Sequence, residues 1–312
     1  MSRSEPSTQI CPVCGGDRHR VHAHATDIEY FTTPETFTYH HCAGCGVLFI
    51  DPLPLARLTE IYPPSYYSYH EGSRGLVWRI KAALDARFYR RVLAGIAAAQ
   101  VDVLDVGGGT GVQIDAVRSV EPRFRSGHVV DLDPRGGEVA RAKGYRFSLC
   151  RFEDLPAGPA AHLILMLNLI EHVADPGSVL AAGAARLAPG GRIVVQTPNH
   201  DSWDARLFRH ASWGGYHCPR HWVLFDEPAF RRLAGECGLT IERLDFIQGA
   251  PFWAVSIVNA FRRRGWVTVD RQRPVFYHPL YRVCLPLFAA VDILRAPFAR
   301  TSQMLAVLRR TG

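Results

Sequence analysis

The chain has 312 residues, 47% of them hydrophobic, and a formal net charge of +7. That length and apolar content suit a catalytic domain of ordinary size with smaller attachments, and the scattered glycines and prolines exclude a repeat architecture. The charge fits a phosphate, anionic lipid or nucleic-acid partner without choosing among them, and the strong bias to arginine (only Lys81 and Lys143 are lysines) carries little functional weight.

The first nine residues lack the apolar core of a signal peptide. The most apolar late stretch, residues 279–298, is interrupted by Arg282, Pro286, Asp292 and Arg295, whereas a spanning helix needs about 20 mostly apolar residues. The expectation is a cytoplasmic protein, with peripheral contact at the inner membrane face as a further expectation.

Two matching cysteine pairs come first, Cys11-Pro-Val-Cys14-Gly and Cys42-Ala-Gly-Cys45-Gly. Two intervening residues let both thiolates converge on one ion, and the glycine after each pair permits the tight turn that aims backbone amides at sulfur. Four thiolates suit tetrahedral zinc in a structural role, since no coordination position stays open. The paired, glycine-terminated pattern disfavours a disulfide or redox reading. The 27 residues between the pairs have room for strands, and His40 and His41 offer alternative ligands beside Cys42. Residues 1–54 are read as a zinc ribbon, with Pro52 and Pro54 marking its exit.

Residues 55–99 are read as an aromatic and helical linker or lid. They contain Tyr62, Tyr66, Tyr67 and Tyr69 in a turn-rich run, then Leu76, Ile80, Leu84, Phe88, Val92 and Ile96 every fourth residue. That recurrence predicts a core-facing helix, with Arg79, Lys81, Arg87, Arg90 and Arg91 on its solvated side.

Val101, Val103, Leu104 and Val106 then predict a short buried strand, which runs into Gly107, Gly108, Gly109, Thr110 and Gly111. Such a turn permits positive φ and close backbone approach, so a ligand is expected to lie against it. Asp131 follows Gly111 by twenty residues at the end of the next strand, within reach of a ribose. A dinucleotide fingerprint requires a third glycine where Val112 stands. Strands and helices alternate to about residue 200, which argues a parallel sheet. Strands are predicted over residues 161–167, 192–197, 239–247 and 302–309, and a helix over 228–237.

At this point the chain resembles the class I S-adenosylmethionine-dependent methyltransferases. Asp105 and Gly107, Gly108, Gly109 and Gly111 match their first motif, and Asp131 with Leu132 matches their ribose-binding acid. Residues 151–156, with Glu153 and Asp154, resemble their adenine-side loop. Residues 168–173, Asn-Leu-Ile-Glu-His-Val, and 187–191 match the ends of their fourth strand and fourth helix. The resemblance implies a doubly wound, seven-stranded Rossmann-like α/β sheet over residues 100–312 with an antiparallel last strand. An insertion at about 250–300 precedes that strand, as a lid or docking surface. It also implies that the tyrosine-rich run can cover the cofactor.

For a cofactor whose methyl is already activated, the protein aligns a nucleophile and removes its proton. His172 after the fourth strand, and His217 and His221 in Tyr-His-Cys-Pro-Arg-His-Trp, are the candidate bases. Arg220 in the same stretch is a candidate clamp for a substrate phosphate or carboxylate. The expected reaction is O-methylation of a small-molecule acceptor: a sugar, a glycolipid-type compound or a secondary metabolite. The alternatives are an RNA methyltransferase that uses the ribbon to bind RNA, and a cofactor-binding scaffold without catalysis. Nucleic acid is the less favoured partner, because the Asn-Pro-Pro-Tyr type of motif that holds base amines is missing after the fourth strand.

Overall fold

Around the cysteine pairs the chain folds as three antiparallel strands, β1 (His19–Thr26), β2 (Thr36–Cys42) and β3 (Leu48–Asp51). Along β2 the side chains alternate at its start, with Phe37 and Tyr39 turned inward, as a half-buried antiparallel strand requires. The computed structural model describes residues 9–63, 76–210 and 213–312. Tyr66, Tyr67 and Tyr69 of the aromatic run lie outside these residues.

A short helix, α1 (Leu58–Ile61), precedes α2 (Leu76–Ala94). The expected core stripe along α2 holds only in its last turns. Val92 is buried, as is Ile96 just beyond, whereas Ile80 and Leu84 are exposed. The reason is geometric. A strict spacing of four advances about 40° further round the helix at each step, so the stripe spirals off the packed face. Tyr89 and Leu93, offset from the stripe, join Val92 and Ile96 in the contacts that pin the helix to the sheet.

From there elements alternate: β4 (Val101–Val106), α3 (Val112–Arg118), β5 (Phe124–Asp131), α4 (Pro134–Ala142), β6 (Arg146–Leu149), β7 (Ala161–Leu167), α5 (Pro176–Arg186) and β8 (Leu187–Pro198). Every residue of β4 is buried, as expected for a central strand with helices on both faces. Asp133 and Asp175 cap α4 and α5, each followed by proline in the first turn, where its missing N–H costs nothing. β8 starts five residues before the predicted point, because Leu187 already pairs with Ala161 ahead of the register shift in β7.

The chain continues through α6 (Trp203–Leu207), β9 (Val223–Leu224), α7 (Glu227–Glu236), β10 (Leu239–Ile247), α8 (Ala250–Arg263), α9 (Pro279–Arg295) and β11 (Gln303–Arg310). Seven strands form one sheet in the order β10-β11-β8-β7-β4-β5-β6. β11 runs antiparallel to both neighbours, and the other described pairings from β8 to β6 are parallel. The insertion before β11 is a pair of packed helices, in which Trp253 of α8 stacks on Phe288 of α9 with centroids 4.7 Å apart.

β9 does not join this sheet. It pairs antiparallel with β3, Leu48 facing Leu224 and Phe49 facing Val223, and completes a four-stranded sheet with the ribbon. One buried cluster therefore runs from Phe37, Tyr39 and Ile50 of the ribbon through Phe225 and Phe230 to Ile164 and Val195 of the large sheet.

Candidate active site

The parallel strands end side by side, and the residues after their carboxyl ends share one edge. Gly107 follows β4, Asp131 closes β5, Glu153 and Asp154 lie beyond β6, and Asn168 follows β7. Ligands bind at this edge in open α/β sheets. Gly107, Gly109 and Gly111 have φ of 73°, 52° and 73°, so each needs the left-handed conformation that glycine adopts without strain. Gly108 is tied by space instead: a Cβ there would stand 2.4 Å from the Asp105 carboxylate. Leu132 and Asn168 are exposed beside the edge, as are Glu153 and Asp154.

Two carboxylates serve this turn. Asp131 accepts the Gly109 N–H at 2.8 Å on Oδ2 and the Asp133 N–H at 2.8 Å on Oδ1. Each oxygen keeps a second lone-pair direction for a hydroxyl. Burial raises its pKa against the pull of these amides. Asp105 is buried, and its Oδ2 has no hydrogen-bond partner. Burial first, and then the charge of Asp131, push its pKa up to about 8. A cationic donor at the turn would satisfy that oxygen and bring the proton affinity down. These residues fit S-adenosylmethionine: Asp131 for ribose hydroxyls, the glycines for close backbone approach, Asp105 for the positive charge of the methionine part.

The three candidate histidines come together although they come from two separate segments. The rings of His172 and His221 are 4.7 Å apart between centroids, those of His217 and His221 4.9 Å, and those of His172 and His217 6.1 Å. His217 and His221 are buried, and His172 is partly exposed. Burial pushes the His172 pKa down to about 3 and holds His221 well below the usual imidazole range. Both rings are therefore neutral near pH 7. The Nδ1 atoms face backbone carbonyls, His172 at 3.0 Å from Arg220 and His221 at 2.8 Å from Gly215. Tyr62 Oη lies 2.9 Å from His172 Nδ1, which ties the end of α1 into the cluster.

Glu171 is the residue that the sequence pattern contained but did not single out. Its side chain is fully buried, Oε2 accepts the Thr197 hydroxyl at 3.0 Å, and Oε1 has no partner. Burial pushes its pKa up to about 8. A carboxylate so poised matches proton transfer near neutral pH better than an imidazole at about 3. The signal was its place beside His172 at the end of β7, but its burial follows only from the packing of β8 and the 214–222 loop. Glu171, His172 and His221 each bring one donor atom to within 4.8 Å of the others, a set that can also hold a metal ion. The segment that carries Glu171 packs on the glycine turn, since a side chain at Gly107 would meet Leu169 Cδ1, two residues before Glu171, at 3.0 Å.

Arg220 does not face substrate. It is fully buried and paired with Asp27 at 2.9 Å, donates from Nε to the Ile61 carbonyl at 2.6 Å, and lies over the Tyr30 ring at 4.5 Å. The clamp expected of it is thus replaced by a structural pairing, because the segment after β1 supplies the carboxylate. The same region holds the rest of the 214–222 loop. His217 Nδ1 is 2.9 Å from Glu29 Oε1, and the Tyr39 hydroxyl is 2.9 Å from the carbonyl oxygens of both Tyr216 and His221.

The four front cysteines also converge. Cys11 and Cys45 sulfurs are 3.5 Å apart, as are those of Cys14 and Cys42, and all four lie within 4.8 Å of one another. None is in a disulfide. Zinc–sulfur bonds of about 2.3 Å in a tetrahedron put sulfurs about 3.8 Å apart, so the set fits zinc. Gly15 and Gly46, the glycines after each pair, have φ of 68° and 85°. The Gly44 N–H donates to Cys42 Sγ at 3.3 Å.

Comparison with known proteins agrees with this geometry. A family profile described as a methyltransferase domain matches residues 79–244. A ubiquinone biosynthesis O-methyltransferase of Thiobacillus denitrificans is 32% identical over 174 residues, 51% of this chain and 72% of that protein. One from Bradyrhizobium sp. is 29% identical over 131 residues, 39% of this chain and 49% of that protein. The chain thus spans about half to three-quarters of these relatives. Two solved structures share the fold. A protein of Galdieria sulphuraria described as a sarcosine dimethylglycine methyltransferase has a TM-score of 0.51 at 16% identity, covering 75% of this chain and 88% of its own. A coclaurine N-methyltransferase has a TM-score of 0.50 at 11% identity, covering 78% of this chain and 74% of its own. The chain belongs to the methyltransferase-domain family and is a class I S-adenosylmethionine-dependent methyltransferase.

Proposed function

We propose that this enzyme methylates a hydroxyl of a small-molecule acceptor, with a sugar, a glycolipid-type compound or a secondary metabolite as the acceptor class. The observation that carries the reading is the buried Glu171 carboxyl with an unpartnered oxygen, set among His172 and His221 and two residues after Leu169, which packs on Gly107. A hydroxyl loses a proton as its oxygen takes a methyl group, so O-methylation needs a proton acceptor at the reacting edge. The Thiobacillus and Bradyrhizobium relatives are both O-methyltransferases, which supports oxygen as the acceptor atom.

S-adenosylmethionine supplies a methyl group on a sulfonium, and the chain supplies position and proton handling. Asp131 and the glycine turn fix the nucleoside end, and Asp105 meets the positive end. Glu171, fully buried, takes the acceptor's proton through His172, the member of the histidine set that reaches the surface. His217 and His221 hold the shape of that wall through Glu29 and the Gly215 carbonyl.

The test uses the full, zinc-loaded chain with methyl-labelled S-adenosylmethionine. Candidate acceptors are nucleotide sugars, glycolipids, phenols with and without isoprenoid tails, and total RNA. Label on a hydroxyl of a small acceptor supports the reading. Label confined to RNA, and abolished by nuclease, overturns it.

A further inference from the structure

The insertion between β10 and β11 carries most of the chain's net charge and a run of exposed apolar side chains. Residues 250–300 contain eight arginines and two aspartates, so six of the chain's seven net positive charges fall here. One of the aspartates, Asp292, is buried, paired with Arg295 at 2.8 Å, and accepts the Gly249 N–H at 2.8 Å. It tethers α9 to the end of β10 and adds no acidity to the surface.

α9 is amphipathic in an unusual sense. Cys284, Phe288 and Asp292 face inward. The outer face carries Val283, Leu287, Val291 and Leu294, spaced as one helical stripe, and Leu294 is 76% exposed. Pro286, Ala290 and Ile293 flank the stripe, and between Arg282 and Arg295 every exposed residue is apolar. Phe298, just past the helix, is 90% exposed. The Arg295 guanidinium lies 4.9 Å over the exposed ring of Trp203, which extends the apolar surface at this end. At the other end Trp266, Arg273, Tyr277 and Pro279 line one open cleft, with Trp266 and Tyr277 exposed. The helix is about 25 Å long by its residue count, and no described helix is long and apolar enough to cross a membrane.

We propose that this face docks on an anionic lipid bilayer. α9 lies in the plane of the interface with its stripe at the boundary of headgroup and acyl chain. Trp266, Tyr277 and Phe298 sit at headgroup depth at its two ends, and the exposed arginines, among them Arg264, Arg271 and Arg282, meet lipid phosphates. Charge selects this occupant over a second copy of the chain. A twofold contact through α9 would bring two strongly basic insertions against each other, whereas an anionic bilayer offers apolar depth and opposite charge in one surface. The inference does not depend on which acceptor is methylated.

Flotation of the full, zinc-loaded chain with vesicles tests it. One vesicle set is phosphatidylcholine alone, and the other holds an equal share of phosphatidylglycerol. The expected result is flotation with the phosphatidylglycerol vesicles that falls as salt rises, and little with phosphatidylcholine. The Leu287→Glu/Leu294→Glu variant should lose vesicle binding about tenfold or more while its affinity for S-adenosylmethionine is unchanged, since both side chains are exposed. Failure to float with phosphatidylglycerol overturns the proposal, as does flotation that the double variant leaves intact. A dimer in vesicle-free buffer that the same variant converts to monomer also overturns it, and assigns the face to a second copy.

Discussion

Asp27 and Arg220, 193 residues apart in the chain, form a 2.9 Å ion pair in which neither side chain touches solvent. The pair joins the segment after β1 to the loop that carries His217 and His221. Burial works to raise the Asp27 pKa, but the Arg220 charge and hydrogen bonds, helped by Thr32, outweigh it and hold it at about 2. Removing one partner leaves the other charge buried, so Asp27→Asn should cost about 3–5 kcal/mol in urea unfolding. The paired change Asp27→Leu with Arg220→Met should recover most of that loss, because it leaves no orphaned charge. If the double variant is as unstable as the single one, packing and not charge sets the strength of this joint.

The same pair sets an acid limb. The folded-state pKa of Asp27 lies below its ordinary 3.8, so the stabilisation is fully present above about pH 4 and is lost as pH falls through about 2. A shift of this size corresponds to about 2 kcal/mol. Unfolding free energy measured from pH 5 down to pH 2 should fall more steeply in the native chain than in Asp27→Asn.

At the cofactor edge, Asp131→Asn keeps the side chain's size and one acceptor oxygen but loses the charge. Charge-assisted hydrogen bonds contribute about 1.5–3 kcal/mol, so calorimetry should show S-adenosylmethionine binding weakened roughly 10- to 150-fold. Unchanged affinity would remove Asp131 from the ribose site.

Glu171 gives the pH test. With its pKa at about 8, the carboxyl is mainly protonated at neutral pH and becomes a competent base as pH rises. Turnover should climb toward pH 8 and level off above it. Glu171→Gln should flatten that rise and lower kcat by about 10²- to 10⁴-fold, with a smaller effect on the KM for S-adenosylmethionine. A rise that survives in the variant would show that Glu171 is not the base.

How much of this could be read beforehand depends on the range of the interactions. The glycine turn, Asp131 and the cysteine knuckles are local. A positive φ at Gly107 or Gly46 is set within a few residues, so spacing alone reveals it. The strands at 161–167 and 239–247 are legible for the same reason, the first through a nearly unbroken apolar run and the second through apolar Leu239, Ile241, Leu244 and Phe246 set among polar residues. The strand at 223–224 was not, because two residues carry no period. Nor was the role of Glu171, since a glutamate after a strand looks like a solvated turn residue until β8 and the 214–222 loop close over it. Arg220 misled for the converse reason: its carboxylate partner lies in a distant segment that no local pattern connects to it.

Removal of zinc should reach the active site through this joint. Tyr39, Asp27 and Glu29 grip the 214–222 loop from the ribbon side. Cys42→Ser, or a strong chelator, is expected to lower the melting temperature and to reduce methyl transfer in step with measured zinc content. Full activity in metal-free protein would show that the loop is held without the ribbon's help.

The pairing of Leu48 with Leu224 also bears on how the protein is made. A nascent chain exposes the bare edge of β3 until its complement leaves the ribosome, long after the thiols have emerged. During that interval the edge is open to mispairing with another chain. The excised front segment would inherit the same exposure permanently, so it is expected to aggregate when expressed alone, however well supplied with metal.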